Sequence, residues 1–268
     1  MARFAPNFHH LFKELPAEQR FASARACGFE AVEWHMPYDL SKQRLRQLLS
    51  DNGLIFLYAT IPWDSKVGGL GGQPGREDEF KHGADAAIDY AIDVGFRFLQ
   101  VGHGAIPDGV SQEECFEVYL HNIGYVCDQL ADAPVKVVIE PVATAVRNRP
   151  FVMSKMSQAD EVLRRLDRPN LGLVFDTYHL RMEEEGTLTD LWRRYAKSVR
   201  HVQIGNAPTR NEPGVGEIDL HHVIGEVDRG GYDGFIGLEF NPSRDTWSSL
   251  HWLNDYGYRI YDSVLRAT

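Results

Sequence analysis

Segments typical of β-strands alternate with segments typical of amphipathic helices along the whole chain. Eight strand candidates are predicted, near residues 4–8, 31–35, 54–60, 98–103, 135–142, 171–176, 199–204 and 235–240. Segments such as "SKQRLRQLLSDNG" and "SQADEVLRRLDRPN" lie between them and carry the polar starts and Gly or Asn ends of helices. Repeated βα units require a parallel sheet with right-handed crossovers. The chain is therefore predicted to form a closed (β/α)8 TIM barrel of the α/β class.

Length, charge and cysteine content narrow the classes of protein. The 268 residues fit one domain, residues 1–268, because such barrels commonly contain about 250 residues. The net charge of -10 disfavours nucleic acid and anionic membranes as partners. No apolar run approaches the roughly 20 residues of a membrane span and no signal peptide is apparent, so we expect a cytoplasmic location. Cys27, Cys115 and Cys127 lack a CxxC spacing, which predicts buried reduced thiols.

Four successive strand candidates end in an oxygen-bearing side chain. The stretches "KVVIEPVAT", "LGLVFDTYH", "RHVQIGN" and "FIGLEFNP" contain Glu140, Asp176, Gln203 and Glu239, at intervals of 36, 27 and 36 residues. Each interval is close to one βα unit. Because the carboxyl ends of barrel strands meet at one mouth, we expect all four side chains to face the same bowl.

This group of side chains has the composition of a site for a hard metal ion. Three neighbouring carboxylates repel one another unless positive charge lies between them. An all-oxygen set suits Mg²⁺ or Mn²⁺ and is a poor match for Zn²⁺, which prefers nitrogen and sulfur. We therefore predict one divalent cation, Mg²⁺ or Mn²⁺. The alternative at each position is an acid that caps a helix or pairs with Lys or Arg.

The chain resembles the hydroxypyruvate isomerase family of the xylose isomerase-like TIM barrels. The resemblance covers nearly the whole length and is carried by "RFAPNFHHLF", "CGFEAVEWHMPYDL", "PGREDEF", "VVIEP", "DTYHLRMEEEG", "HVQIGNAPTRNEPGVGEIDL" and "YDGFIGLEF". It implies one divalent ion bound by Glu140, Asp176, Gln203 and Glu239, with Glu140 and Glu239 also acting as catalytic acid and base. It further implies interconversion of hydroxypyruvate and tartronate semialdehyde through an enediol.

Histidines at three strand ends are candidates for contact with the substrate. The resemblance implies that His179, three residues after Asp176, reaches a substrate oxygen. His35 and His103 end the second and fourth strand candidates, so both are expected to point toward the mouth. The alternative for each is a histidine that only makes structural hydrogen bonds.

Arg210 is the cation that the sequence places on a mouth loop, after the seventh strand candidate. A guanidinium can bind a substrate carboxylate through two nitrogens. The alternative is a salt bridge to Glu212 or Glu217 that orders the loop.

Two segments of the predicted bowl depart from the hydroxypyruvate isomerase pattern. The segment "VGGLGGQPG", residues 67–75, lies in the long loop after the third strand candidate and is expected to form a mobile lid. After Glu140 the chain reads "PVATAVRNRPF". These departures leave the small-molecule substrate open, as a short 2-oxo acid or a ketose.

Other functions use the same fold. A ketose 3-epimerase of the D-tagatose or D-psicose type shares the proton chemistry, although such enzymes usually have His where this chain has Gln203. A non-catalytic sugar-binding barrel has no need for both glutamates. A related endonuclease barrel conflicts with the acidic charge and the small number of histidines at the mouth. The sequence is compatible with a homo-oligomer and does not set the number of copies.

Overall fold

One parallel eight-stranded sheet forms the centre of the molecule. The computed structural model describes residues 1–64, 66–146 and 148–260. The strands are β1 (Arg3–Pro6), β2 (Ala31–Glu33), β3 (Ile55–Thr60), β4 (Phe98–Gln100), β5 (Lys136–Ile139), β6 (Leu171–Asp176), β7 (Val199–Ile204) and β8 (Phe235–Leu238). Their order in the sheet is β1-β8-β7-β6-β5-β4-β3-β2.

Helices follow the strands and surround the sheet. They are α1 (Gln19–Ala26), α2 (Lys42–Asn52), α3 (Glu77–Val94), α4 (Gln112–Gln129), α5 (Met156–Leu166), α6 (Thr177–Glu183), α7 (Leu188–Tyr195), α8 (Leu220–Arg229) and α9 (Thr246–Leu250). Short 3-10 helices lie at Thr144–Val146, Ala196–Ser198 and His251–Tyr256. Among the described residues, no helix is both long enough and apolar enough to cross a membrane.

The sheet closes on itself through its first two strands. β1 pairs with β8, and Asn7, just after β1, forms a parallel bridge with Glu33 at the end of β2. The Phe8 amide also donates to the Glu33 carbonyl over 2.7 Å. The predicted (β/α)8 TIM barrel is therefore confirmed.

Each predicted strand corresponds to an observed strand, and the differences lie mainly at the strand ends. β6 and β7 have the predicted bounds, whereas β4 ends at Gln100 and not at His103. The apolar pattern continues past the strand end because the mouth loops are themselves buried. Val101 shows this, since it is fully buried and its amide donates to the Val138 carbonyl although it lies outside β4.

Capping residues set where the helices begin and end. α2 follows Ser41, whose hydroxyl accepts from the Arg44 amide, and ends at Gly53, which has a φ of 58°. α4 follows Ser111, which accepts from the Glu114 amide in the same way. Such caps satisfy backbone groups that have no partner within the helix. The caps therefore determine where each of these helices begins, and Gly53 determines where α2 ends and the chain turns back toward β3.

Two hydrophobic layers pack against the sheet. The larger joins the strands to the surrounding helices, and it includes the free, buried cysteines that the sequence predicts. The smaller fills the inside of the barrel and consists of Ala5, Ala31, Leu57, Tyr58, Val138, Val174 and Phe235. Glu33 and His201 are also fully buried, and their side chains meet within the sheet. The barrel interior therefore contains polar groups as well as a hydrophobic layer.

Candidate active site

The carboxyl ends of the strands open into a cavity of about 250 Å³. Its titratable lining residues are His9, His10, His35, His103, Glu140, His179, Arg210 and Glu239. Apolar side chains, among them Ile61, Trp63 and Phe151, complete the wall. The cavity has the size and polarity for a small polar molecule.

The four predicted oxygen-bearing residues come together at one side of this mouth, and we call them the oxygen cluster. Glu140 directly follows β5, Asp176 ends β6, Gln203 lies in β7 and Glu239 directly follows β8. Asp176 and Gln203 are register partners on neighbouring strands, so their side chains leave the sheet on the same face. All four residues are buried. The spacing argument from the sequence therefore places them correctly at adjacent strand ends.

Several oxygens of the oxygen cluster are buried without a hydrogen-bond partner. Within the described part of the chain these are Oε1 of Glu140, Oε1 of Gln203 and Oε2 of Glu239. Buried polar atoms are normally paired, so three unpaired acceptors in one cluster require an explanation. A divalent cation satisfies acceptors of this kind, and oxygen donors suit Mg²⁺ or Mn²⁺. The residues present therefore fit a hard metal ion.

The protein also binds the second polar atom of side chains in the oxygen cluster. Glu140 Oε2 accepts from Gln100 Nε2 over 2.5 Å. Asp176 Oδ1 accepts from the backbone amides at the start of α6, so Asp176 also caps that helix. Gln203 Nε2 donates to Glu33 Oε2 over 3.0 Å. These contacts restrict how the carboxylates and the amide can rotate.

Arg210 lies within the oxygen cluster. Its Nη2 is 3.1 Å from Asp176 Oδ2 and 2.5 Å from Glu239 Oε1, and its Nε donates to the Glu239 carbonyl over 3.2 Å. The backbone of Arg210 adopts a positive φ of 56°, which is uncommon for residues other than glycine and asparagine. The guanidinium therefore neutralises part of the charge on two of the carboxylates.

The predicted alternative partners of Arg210 are wrong. Glu212 instead accepts from the amide and hydroxyl of Ser243. Glu217 pairs with Arg181 over 3.0 Å. Nη2 and Nε of Arg210 already donate to the protein. In this conformation they are therefore not available for the predicted two-nitrogen contact with a substrate carboxylate. The sequence did not indicate this because Asp176 and Glu239 are 34 and 29 residues away from Arg210 in the chain.

Burial and charge shift the pKa values of the carboxyl groups in opposite directions. Burial raises the pKa of Glu140 well above its ordinary value, and the charges of Glu239 and Asp176 add to the effect. Burial raises the pKa of Asp176 to about 6, even though Arg210 opposes the shift. Burial acts on Glu239 in the same direction, but Arg210 and His35 hold its pKa well below the usual range. Three carboxylates and one guanidinium carry a formal charge of −2, which one divalent cation would balance.

His179 lies next to Glu140 in the cavity wall. The Ala143 amide donates to His179 Nδ1 over 3.2 Å, so the neutral ring carries its proton on Nε2. Nε2 lies 3.8 Å from Glu140 Oε1. Burial, with a contribution from Arg210, lowers the pKa of His179 well below its ordinary value. The ring therefore offers an N–H donor toward the cavity, as the predicted contact with a substrate oxygen requires.

His103 also lines the cavity, but its ring bonds to the backbone. Nδ1 lies 3.1 Å from the Gly104 carbonyl and Nε2 lies 3.2 Å from the Glu140 carbonyl. Burial lowers the pKa of His103 to about 4, so the ring is neutral near pH 7. A neutral ring has one N–H and can donate to only one of these carbonyls.

Three histidines at another part of the wall form what we call the imidazole cluster: His9, His10 and His35. Their nitrogens lie within 4.8 Å of one another. The rings of His9 and His35 stack with centroids 4.8 Å apart. His10 Nε2 and His35 Nε2 are each 3.5 Å from Glu239 Oε1, so the imidazole cluster adjoins the oxygen cluster. Sequence reasoning identified only His35, although "NFHH" directly after β1 was a signal for the other two.

Two further polar residues that contact the oxygen cluster were not predicted. Gln100 ends β4 with an oxygen-bearing side chain, as in the four predicted positions. The predicted strand end at His103 hid this position. Glu33 ends β2 and contacts Gln203, and it too follows the strand-end rule.

The segment 67–75 is a packed part of the cavity wall. The Gly71 amide donates to the Gly102 carbonyl and the Gly72 amide to the His103 carbonyl, both over 2.9 Å. A Cβ at Gly69 would lie 2.5 Å from the Gly102 backbone, so the two backbones meet where no side chain fits. The glycines serve this close approach, so the segment packs against the backbone that follows β4.

Comparison with known proteins agrees with this architecture. The family model described as "Xylose isomerase-like TIM barrel" matches residues 21–256. The chain is 34% identical over 260 residues to the 2-oxo-tetronate isomerase of Cupriavidus necator, covering 96% of this chain and 99% of that protein. It is 32% identical over 259 residues to the hydroxypyruvate isomerase of Escherichia coli, covering 96% of this chain and 100% of that protein.

A solved structure has the same fold over nearly the same length. It is described as an AP endonuclease, family 2, from Brucella melitensis, and it is 32% identical with a TM-score of 0.89. The alignment covers 96% of this chain and 99% of that chain. From the family match, the full-length similarity and the shared barrel, we conclude that the chain belongs to the xylose isomerase-like TIM barrel family.

Proposed function

We propose that the protein is a metal-dependent isomerase that interconverts hydroxypyruvate and tartronate semialdehyde, or a related short 2-oxo acid such as 2-oxo-tetronate. The observation that carries the proposal is the oxygen cluster, with three unpaired buried oxygens beside a small polar cavity. The names of the E. coli and C. necator relatives supply the substrate class.

Glu140, Asp176, Gln203 and Glu239 would together hold one divalent ion, with Mg²⁺ or Mn²⁺ favoured by the oxygen donors. When bound, the ion supplies positive charge that stabilises the negative oxygen of an enediolate. His179 can donate to the same region through Nε2, because its Nδ1 accepts from the backbone.

Glu140 and Glu239 are the proposed acid and base. A proton is taken from the hydroxyl-bearing carbon next to the carbonyl and is returned to the former carbonyl carbon. The hydroxyl proton moves to the former carbonyl oxygen, so the product is an isomer of the substrate. Gln100 holds one oxygen of Glu140 and Arg210 holds one oxygen of Glu239. Each glutamate therefore keeps one oxygen without a partner in the described protein, Oε1 of Glu140 and Oε2 of Glu239, and we propose that this oxygen serves both the ion and the substrate proton.

Arg210 is proposed to offset the substrate carboxylate. With one divalent ion, the three carboxylates and Arg210 sum to a formal charge of zero, so an acid substrate meets no net negative charge. Among the described residues, the hydrogen bonds of the guanidinium to the protein involve Nε and Nη2, which leaves the Nη1 amino group to donate to the substrate. His35 and His103 line the same cavity and are proposed to contact other substrate oxygens.

A substrate panel in D₂O tests the proposed function. The metal-free protein, and the protein with Mg²⁺ or Mn²⁺, would be assayed with hydroxypyruvate, 2-oxo-tetronate, D-tagatose and D-psicose. We expect turnover of a 2-oxo acid that requires metal and places solvent deuterium on the carbon that receives the proton. Epimerisation of a ketose without turnover of either acid would overturn the proposal in favour of an epimerase.

A further inference from the structure

Glu33 is a fully buried carboxylate at the end of β2 that the proposed chemistry does not use. Its Oε2 accepts from Gln203 Nε2 over 3.0 Å and from Asn7 Nδ2 over 3.4 Å. Its Oε1 lies 2.7 Å from His201 Nε2, and neither atom has a hydrogen-bond partner among the described residues. Burying a polar group is costly unless it is hydrogen-bonded, so the partners of Glu33 indicate its role.

The contact with Gln203 fixes which way the amide faces. Because Gln203 Nε2 donates to Glu33 Oε2, the amide turns its NH₂ group toward Glu33. The amide oxygen then points to the other side, and Gln203 Oε1 is one of the buried acceptors without a partner. If the amide rotated by half a turn, its NH₂ would face the proposed cation and repel it.

The surroundings of Glu33 are shaped to hold the carboxylate in this position. A Cβ at Gly237 would lie 2.4 Å from Glu33 Oε1 and 2.6 Å from Oε2, so only glycine leaves room for the carboxylate. Gly237 is the register partner of Gln203 on β8. His201 is held on its two sides by Tyr58 and Phe98, with ring centroids 5.3 Å and 5.2 Å away.

We propose that Glu33 is a positioning residue of the metal site, which orients the Gln203 amide so that its oxygen and not its nitrogen faces the ion. The inference rests on the proposed function only in requiring that the oxygen cluster binds a divalent cation. Glu33 would thus support the metal site although it takes no part in the proposed proton transfer.

The test measures Mn²⁺ binding, by electron paramagnetic resonance of free Mn²⁺, without any turnover. In Glu33→Gln the new amide can accept or donate, so Gln203 loses its fixed orientation. We expect Mn²⁺ to bind about 10- to 100-fold more weakly, as is typical when a residue supporting a metal ligand is changed. Circular dichroism and thermal unfolding would show whether the fold is retained.

A second background makes the test specific. In Gln203→Glu the ligand has two equivalent oxygens and needs no orientation, and Glu33 then repels it at close range. Glu33→Gln should therefore tighten Mn²⁺ binding in the Gln203→Glu background while weakening it in the parent background. Residues 33 and 203 are in contact, so some coupling between the two changes is expected in any case. The reversal of sign between the backgrounds is what identifies Glu33 as the group that orients the amide, whereas weakening in both backgrounds indicates a merely structural role.

Further variants cover the remaining outcomes. Glu14→Gln is the control, since Glu14 also accepts two hydrogen bonds, from Thr246, but does not line the cavity, and it should leave Mn²⁺ binding unchanged. If Glu33→Gln does not fold, Gly237→Ala keeps the charge but displaces the carboxylate, and it should also weaken Mn²⁺ binding. Parental affinity in Glu33→Gln, or weakening in both backgrounds, overturns the inference. Absence of Mn²⁺ binding by the parent instead overturns the metal site of the proposed function.

Discussion

The oxygen cluster and the imidazole cluster line one cavity, but the chain positions them differently. Each member of the oxygen cluster lies in a strand or directly after one. His35 lies two residues after the end of β2, and His9 and His10 lie three and four residues after the end of β1. Strand register therefore fixes the first group, whereas loop conformation fixes the second.

The two clusters also differ in charge. The oxygen cluster combines carboxylates with Arg210, and its unpaired oxygens suit a cation. In the imidazole cluster, burial lowers the pKa of His9 to about 3 and also lowers the pKa of His10, so these rings are neutral near pH 7. Stacking of His9 on His35 and its edge contact with Trp63 hold the cluster together. We infer that the oxygen cluster provides the chemistry and that the imidazole cluster shapes the site for its substrate.

The largest expected effect concerns the two glutamates of the oxygen cluster. Glu140→Gln and Glu239→Gln should each lower kcat by about 10²- to 10⁴-fold at saturating Mn²⁺, because each removes a proposed proton carrier. Circular dichroism should show a retained fold. Glu18→Gln, an exposed carboxylate paired with Arg44, is the control and should keep parental kcat. Near-parental kcat in either test variant removes that glutamate from the acid/base role.

The next largest effect concerns Arg210. Changing this residue distinguishes a role in binding the charged substrate from a role in binding the metal ion. Truncating one partner of a desolvated charge pair costs about 2 to 5 kcal/mol, so Arg210→Met should lower kcat/KM for hydroxypyruvate by about 30-fold or more. A neutral ketose loses only hydrogen bonds, and its loss should be nearer tenfold. Mn²⁺ should bind at least as tightly as in the parent, because a cation next to Asp176 and Glu239 has been removed.

Two results for Arg210→Met would contradict this assignment. Parental turnover of hydroxypyruvate would show that Arg210 does not offset a substrate carboxylate. Weaker Mn²⁺ binding would show that the guanidinium mainly holds Asp176 and Glu239 in place for the ion. Arg210→Lys keeps the charge without the planar geometry and serves as the comparison variant.

The sequence predicted the barrel and the oxygen cluster because both depend on periodic features. Alternating βα units specify the parallel sheet, and the sheet register then brings Glu140, Asp176, Gln203 and Glu239 to one edge. The positions of these side chains follow from counting residues along strands. No loop conformation has to be known.

The remaining part of the site depends on contacts between segments far apart in the chain. Arg210 reaches Asp176 and Glu239 through a loop with a positive φ that the sequence "APTRNEP" does not specify. Glu33 contacts Gln203 across 170 residues, through the inside of the barrel. Segment 67–75 is rich in glycine, which is typical of flexible loops, but its glycines permit close backbone packing. Composition alone does not distinguish these two uses of glycine.

The smallest expected effect tests whether the two clusters have separate tasks. His35 lines the cavity and its Nε2 is 3.5 Å from Glu239 Oε1, but its assigned role is contact with the substrate. His35→Gln should raise KM for the 2-oxo acid by about fivefold, the value of one hydrogen bond of about 1 kcal/mol, and should change kcat little. The Kd for Mn²⁺ should stay at the parental value, as it should in the control His222→Gln, which changes an exposed residue of α8. Weakening of Mn²⁺ binding by tenfold in His35→Gln alone would instead make the imidazole cluster part of a metal centre, since its three rings offer nitrogens within 4.8 Å of one another. In that case the oxygen cluster and the imidazole cluster would not have separate tasks, because both would contribute to binding of the ion.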